Sequence, residues 1–193
     1  MVTPMPARPT ARTVLTASLI AGLGVFALVS CALPPVGNAR VPEPAKSVDL
    51  ERYLGRWYEI ARYDVSFQRD GEGVTAEYAM RPDGMVDVLN TMRVGAPDGP
   101  VRSARARAKV VPDSGNAKLK VSFFGPFFVG NYWVLDHADD YSWSIVGEGS
   151  GRYLWLLARE PVLSKAEQDA LVARAAALGY DTSMLRFTKQ PPG

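Results

Sequence analysis

Across residues 101–111, Ala104, Ala106, Ala108 and Val110 alternate with Arg105, Arg107 and Lys109. A side-chain period of two makes a strand with one dry face and one wet face, and it excludes an amphipathic helix, whose apolar positions recur every three or four residues. The same beat returns where Ala76 and Tyr78 alternate with Thr75 and Glu77, where Val86 and Val88 flank Asp87, and where Leu119, Val121 and Phe123 alternate with Lys118, Lys120 and Ser122. Turn-forming clusters separate these runs, at Pro82-Asp83-Gly84, at Pro97-Asp98-Gly99, and within 112–116, 137–140 and 147–151. Eight strands follow, near 56–63, 74–81, 85–94, 101–111, 117–124, 130–136, 141–147 and 152–159. Their connections are too short for crossover helices, so neighbours run antiparallel. Eight such strands predict an all-β fold, an eight-stranded antiparallel up-and-down barrel, with a two-sheet sandwich as the alternative.

The later strands depart from alternation. Tyr132-Trp133-Val134-Leu135 and Tyr153-Leu154-Trp155-Leu156-Leu157 are apolar on both faces, so something must cover their outer side. A cover follows in the chain: Ser164 with Glu167 forms a capping box, Gly179 can end the helix, and Leu171, Ala175 and Leu178 make an apolar stripe at i, i+4 and i+7. One C-terminal α-helix is therefore expected to pack on the outside of the barrel.

The N-terminal region is of another kind. Arg8 and Arg12 precede residues 14–29, an uncharged run of sixteen rich in Leu, Ala, Val and Gly, which is the pattern of a secretory signal. Leu28-Val29-Ser30-Cys31 then resembles the lipobox of bacterial lipoproteins, which implies cleavage before Cys31 and acylation of its thiol. The alternative is an uncleaved anchor. Residues 32–46 hold Pro34, Pro35, Pro42 and Pro44 and few large apolar groups, which reads as an extended, flexible tether. The domain organisation is thus a signal peptide over 1–30, an acylated Cys31 and tether over 31–46, and a barrel domain over 47–193. In lipoproteins of the enterobacterial type an Asp after the acylated Cys favours inner-membrane retention. Ala32 stands there, which implies lipid anchorage in the outer membrane, facing the periplasm.

Removing the first 30 residues leaves 20 basic and 20 acidic groups, because Lys+Arg total 22, Asp+Glu total 20, and both missing charges are arginines. A body of zero formal charge with no basic stripe lacks the footprint needed to bind nucleic acid. One cysteine excludes an internal disulfide, a CxxC pair and a structural zinc site. No metal site and no cofactor are expected.

Gly55-Arg56-Trp57-Tyr58-Glu59, Asp139-Asp140-Tyr141, and Arg159 closing Leu154-Trp155-Leu156-Leu157-Ala158 resemble, in order, the three signature regions of lipocalins. The resemblance spans about residues 47–190. Ser122-Phe123-Phe124-Gly125-Pro126-Phe127, Tyr153-Leu154-Trp155 and the ending Gln190-Pro191-Pro192-Gly193 are similar to the bacterial outer-membrane lipocalins, the group nearest apolipoprotein D. Meander parity gives these residues a physical place. Trp57 starts the first strand and Arg159 ends the last, so both lie at one end, and closure makes their strands neighbours. Gly55, Trp57, Tyr141 and Arg159 are read as the barrel's plug, with the guanidinium over the indole.

The same parity sends the connections at 64–73, 95–100, 125–129 and 147–151 to the other end. Phe67, Phe127 and Phe128 in those loops either form a hydrophobic portal or fold inward to complete the core; both readings stand. On the inner face, Ala76, Ala104 and Ala106, like Ala108, leave room that larger side chains would fill. Tyr78, Met92, Val121 and Phe123 supply walls, and Asn90 supplies one amide. No inward Lys or Arg is expected in strands two to five, so a neutral or zwitterionic head group suits the site better than a bare carboxylate.

Enzyme readings are poor. Some lipocalins act as isomerases through a barrel cysteine, which this body lacks. His137 is expected as a solvated turn residue at the closed end. Gly147, Gly149 and Gly151 precede a strand and not the helix a phosphate-binding loop requires. Ser142 and Ser144 have no nearby base. The sequence therefore points to a membrane-anchored lipocalin that binds a lysophospholipid or fatty acid for envelope storage or transport. Lysophospholipid preference is implied by the resemblance alone. A structural envelope lipoprotein with a filled barrel, or a lipid-modifying enzyme, is the alternative, and pairing of two barrels as a homodimer is open. Replacing Cys31 by Ser is expected to move the protein from the membrane to the soluble fraction; persistent membrane association after fractionation would favour an uncleaved anchor.

Overall fold

The structure, a computed structural model, describes residues 33–191; the expected signal peptide and Cys31 lie outside the described residues. Its elements are α1 (Leu50–Tyr53), β1 (Gly55–Tyr63), β2 (Gly71–Met80), β3 (Val86–Val94), β4 (Val101–Val110), β5 (Lys118–Ser122), β6 (Gly130–His137), β7 (Trp143–Gly147), β8 (Leu154–Ala158), α2 (Lys165–Ala177) and β9 (Leu185–Phe187). Strands β1 to β8 pair antiparallel in sequence order and close on themselves, because β1 bonds both β8 and β2. The result is a closed eight-stranded barrel, not a sandwich.

Closure at β1 is divided. Gly55 to Tyr58 pair with Tyr78 to Thr75 of β2, whereas Ala61 to Tyr63 pair with Phe187 to Leu185 of β9. The two barrel strands splay towards one end, and the chain's last segment fills the gap. Gly73 N–H donates to the Lys189 carbonyl, and the Gln190 amide donates to the carbonyls of Glu59 and Val74. Strand β9 has no counterpart in the sequence reading. Three residues with one apolar contact surface carry too little periodicity to register as a strand.

The apolar residues sort into an inner and an outer layer. Inside, Val48, Tyr53, Trp57, Val134, Tyr141, Val146 and Leu157 fill one end of the cylinder, and Val86, Val88, Ala106, Ala108 and Leu119 line the adjacent wall. Outside, Ala61, Leu135, Ile145, Leu154 and Leu156 meet Leu171, Ala175 and Tyr180 beneath α2. This explains why β6 to β8 are apolar on both faces. Helix α2 starts at the Ser164 capping box, with Ser164 and Glu167 each bonding the other's backbone N–H.

Residues 33–46, expected as a flexible tether, are extended but lie against the barrel. Gly37 and Asn38 N–H groups donate to the Gly151 carbonyl, the Asn38 amide donates to the Leu178 carbonyl at the end of α2, and Lys46 donates to the His137 carbonyl and to Asp139. The approach at Gly151 is close: a Cβ there would sit 1.8 Å from the Asn38 carbonyl oxygen, and its φ of +66° already favours glycine. Composition showed a Pro-rich extended segment but not the carbonyls that would hold it.

At the filled end, the Arg159 guanidinium lies 3.8 Å from the Trp57 ring centroid and donates to the carbonyls of Arg56, Arg52, Tyr53 and Leu54. The Trp57 indole N–H donates to the Tyr53 carbonyl at 2.8 Å. Arg159 thus satisfies the carbonyls of the α1 to β1 corner, where Gly55 turns the chain at φ +88°. Tyr141, at φ +63°, stacks on His137 and accepts the Asp49 backbone N–H. His137 itself is buried, 4% exposed, with its two ring nitrogens against the carbonyls of Ala138 and Ser47; it is not a solvated turn residue, because the docked N-terminal segment covers it. Trp57→Ala is expected to destabilise by about 3 to 5 kcal/mol, as for other buried aromatics. Denaturant unfolding checks this, and an unchanged midpoint would contradict a sealing role for the indole.

Candidate functional site

Above the filled end the barrel is hollow, with a cavity of about 750 Å³ bordered by residues of β1 to β6 and β8. That volume lies within the range of small-molecule sites. Its size follows from side-chain choice. Ala76, Ala104 and Ala108 border it where bulky residues would close it, and Met92, Val121 and Phe123 form apolar walls. Tyr78 and Asn90 also border it, so seven of the eight expected ligand-binding residues face one space. Ala106 does not; it packs in the wall with Val86, Val88, Ala108 and Leu119.

The floor is a chain of hydroxyls. Tyr53 Oη lies 2.9 Å from Tyr132 Oη and 3.0 Å from Ser144 Oγ, and the Tyr78 hydroxyl donates to Tyr132 Oη at 3.0 Å. Mutual hydrogen bonding lets these polar tips sit beneath an apolar chamber without exposing unpaired groups. Burial pushes the Tyr53 hydroxyl up to about 12 and also raises Tyr78 and Tyr132, so all three are neutral at physiological pH.

One wall carries an ion pair that periodicity could not reveal. Glu59 Oε1 accepts from Arg62 Nη1 at 2.7 Å and from the Thr188 hydroxyl, and Glu59 Oε2 accepts from the Gln68 amide at 2.5 Å. Arg62 also donates to the Gln68 carbonyl, and the Trp155 indole donates to Gln68 Oε1. Both charged side chains are essentially fully buried, at 2% and 0% exposure. In a regular strand, residues three apart point to opposite faces. The register shift between Glu59 and Ala61 adds one residue and brings Glu59 and Arg62 together.

The mouth differs from expectation in two respects. Strand β5 ends at Ser122, opposite Arg107, so residues 101–106 of β4 have no β5 partner and the wall is notched there. Phe123 and Phe124 consequently lie past the end of the strand, where both border the cavity while remaining exposed. Phe67 borders the cavity, but Phe127 and Phe128 do not; Phe124 and Val129 take that place. The Phe128 ring instead lies under the Lys109 ammonium, 4.7 Å away, on the outer side of β4. Phe127 is 70% exposed, so it completes no core. Secondly, Arg102 borders the cavity, against the expectation of no inward cation. It shares its parity with Ala104 and faces Met92 across the β3 to β4 pair, at the very start of β4 where solvent reaches it. Glu148, mostly buried, borders the same mouth, where its carboxylate accepts from Ser150 and the Arg152 backbone N–H. An aromatic column of Phe67, Tyr153 and Trp155, stacked at centroid distances of 6.4 and 5.9 Å, descends beside it.

No group of three or more potential metal ligands occurs among the described residues. The enclosed surface combines apolar walls, hydroxyls that stay neutral, and charges that are paired or at the rim.

Comparison with known proteins agrees with the architecture. The model of the lipocalin-like domain matches residues 48–190. The outer membrane lipoprotein Blc of Vibrio cholerae is 38% identical over 167 residues, covering 84% of this chain and 96% of that protein. Apolipoprotein D of Rattus norvegicus is 35% identical over 146 residues, covering 72% of this chain and 70% of that protein. Among solved structures, insecticyanin from the tobacco hornworm Manduca sexta superposes with a TM-score of 0.59 at 21% identity, covering 83% and 87% of the two chains, a likeness of fold.

The tyrosine floor makes a pH prediction. An unfolded tyrosine ionises near 10, whereas Tyr53 is held up at about 12. The stability this contributes is complete below pH 10 and is lost as pH rises through 10 towards 12. Ultraviolet titration is expected to show a tyrosine class that ionises only as the fold melts; ionisation of every tyrosine near pH 10 in a still-folded protein would contradict the buried network.

Proposed function

The chain belongs to the lipocalin-like family, whose members enclose small lipophilic molecules, and on that premise we propose that it carries a single-tailed amphiphile, a lysophospholipid or fatty acid, in the cell envelope, anchored to the outer membrane through an acylated Cys31. The observation that supports this most is the chamber itself, about 750 Å³ walled mainly by small and apolar side chains. A structural lipoprotein with a filled barrel would leave no such hollow.

Burial of the tail supplies the affinity. A sixteen-carbon chain offers on the order of 10 kcal/mol at about 0.8 kcal/mol per methylene, before the costs of immobilisation, which puts micromolar binding within reach. The head group stays at the mouth, where Arg102 and Glu148 provide one charge of each sign. A head group carrying both a phosphate and an ammonium finds a countercharge for each, which favours the lysophospholipid over a plain carboxylate. The similarity to outer membrane lipoproteins named Blc supports the same location for this chain.

Lipid extraction of the protein purified from its host, followed by mass spectrometry, is expected to yield one single-tailed species in near-equimolar amount. Ala104→Trp puts an indole into the upper chamber at a solvent-reachable site. It is expected to weaken binding of a fluorescent lysophospholipid by about tenfold or more with little change in melting temperature. Undiminished binding, or an empty barrel that never takes up the probe, would overturn the carrier reading.

A further inference from the structure

We infer that the open mouth of the barrel docks on the lipid bilayer, and that the N-terminal segment is the strap that holds it there. This rests on the acyl anchor at Cys31 proposed above; the argument for direction is geometric.

The segment leading from the anchor does not join the barrel at its plugged end. It meets it at the mouth. The Pro34 carbonyl accepts from the Arg152 guanidinium, and Gly37 and Asn38 bond the Gly151 carbonyl, all in the connection between β7 and β8 at the open end. The Asp181 N–H fastens Gly37 from the other side. Only then does the chain run down the outer wall to Lys46 and Val48 beside the plug. Two residues, Ala32 and Leu33, separate Cys31 from Pro34, a reach of at most about 11 Å for a fully extended chain. An acylated Cys31 in the membrane surface therefore keeps the mouth close to that surface. A strap entering at the plugged end would have faced the mouth away.

The mouth is built for such a surface. The rim side chains Phe67, Val101, Phe123, Phe124, Phe127 and Val129 are between 48% and 84% exposed, and the strap adds exposed Leu33 and Val36 beside them. A soluble rim facing water has no use for this many bare aromatic and branched groups in one place. At the opposite end, Met80 and Val162 are isolated exposed apolar residues with no such company. Beside the notch above β5, four of these rim side chains, Phe67, Phe123, Phe124 and Val129, also border the cavity. A tail can then pass between bilayer and barrel without crossing water.

The chain's one cysteine makes the test direct. With Cys31 acylated, as verified by mass, a Phe127→Cys or Met80→Cys variant offers a single free thiol for a bimane label. Each labelled full-length mature protein is reconstituted into phosphatidylethanolamine and phosphatidylglycerol vesicles carrying spin-labelled lipid. Strong quenching at position 127 with little at position 80 is expected. Equal quenching at both, or quenching at 80 alone, overturns the docking and leaves the carrier reading standing. Two unquenched labels overturn it too, and point to a second copy of the chain covering the rim. A mature chain without acyl groups removes the strap's anchor, and the proposal with it, while failure of the lysophospholipid probe to bind in solution counts against the carrier reading alone.

Discussion

Strand β1 has to satisfy two rows of backbone groups along its whole length, and the fold is organised by how it does so. On one side it pairs with β8. On the other, β2 serves its first half and β9 its second, because β1 and β2 cease to pair beyond Tyr58. A barrel left unclosed there would expose a sheet edge and open the chamber to water along its length. The same strand carries Trp57 at the plugged end and the Glu59 and Arg62 pair beside the cavity, so closure, plug and polar wall are fixed together.

The chamber exists because the cylinder is filled unevenly. Aromatic and branched groups crowd the plugged end, and alanines on β2 and β4 leave the upper half empty. Polar groups are tolerated at the boundary since they are paired: three tyrosines and a serine bond one another, and a buried carboxylate meets a guanidinium, an amide and a hydroxyl. A lone charge in such a place would be strongly destabilising, whereas an ion pair held by further hydrogen bonds is closer to neutral and shapes the wall. Closure by residues as distant as Thr188 and Gln190 makes the C-terminal segment part of that wall.

Much of the site was legible residue by residue. Ala76, Tyr78, Asn90, Met92, Ala104, Val121 and Phe123 were all placed by parity alone, because a strand's side chains alternate without exception until a bulge intervenes. Ala106 shows where parity stops: it identifies a face, not the height at which a cavity begins. Arg102 was overlooked although it shares the parity of Ala104, since the alternation was judged by apolar residues and an inward cation breaks that pattern. Phe127 and Phe128 were placed in the right loop, but the early end of β5 decided which of its side chains border the opening.

What the sequence determined by itself was therefore the local and the periodic: eight alternating strands, a capped helix with one apolar face, the end of the cylinder to which each turn belongs, and the neighbourhood of an indole and a guanidinium. Each rests on the spacing of side chains along one stretch of chain. Tertiary structure alone decided the bulge that unites Glu59 with Arg62, the ninth strand, the burial of His137 and the path of the N-terminal strap from mouth to plug. Those depend on backbone groups many tens of residues apart finding one another, and an N–H or carbonyl has no signature in the sequence to say which distant partner it will meet.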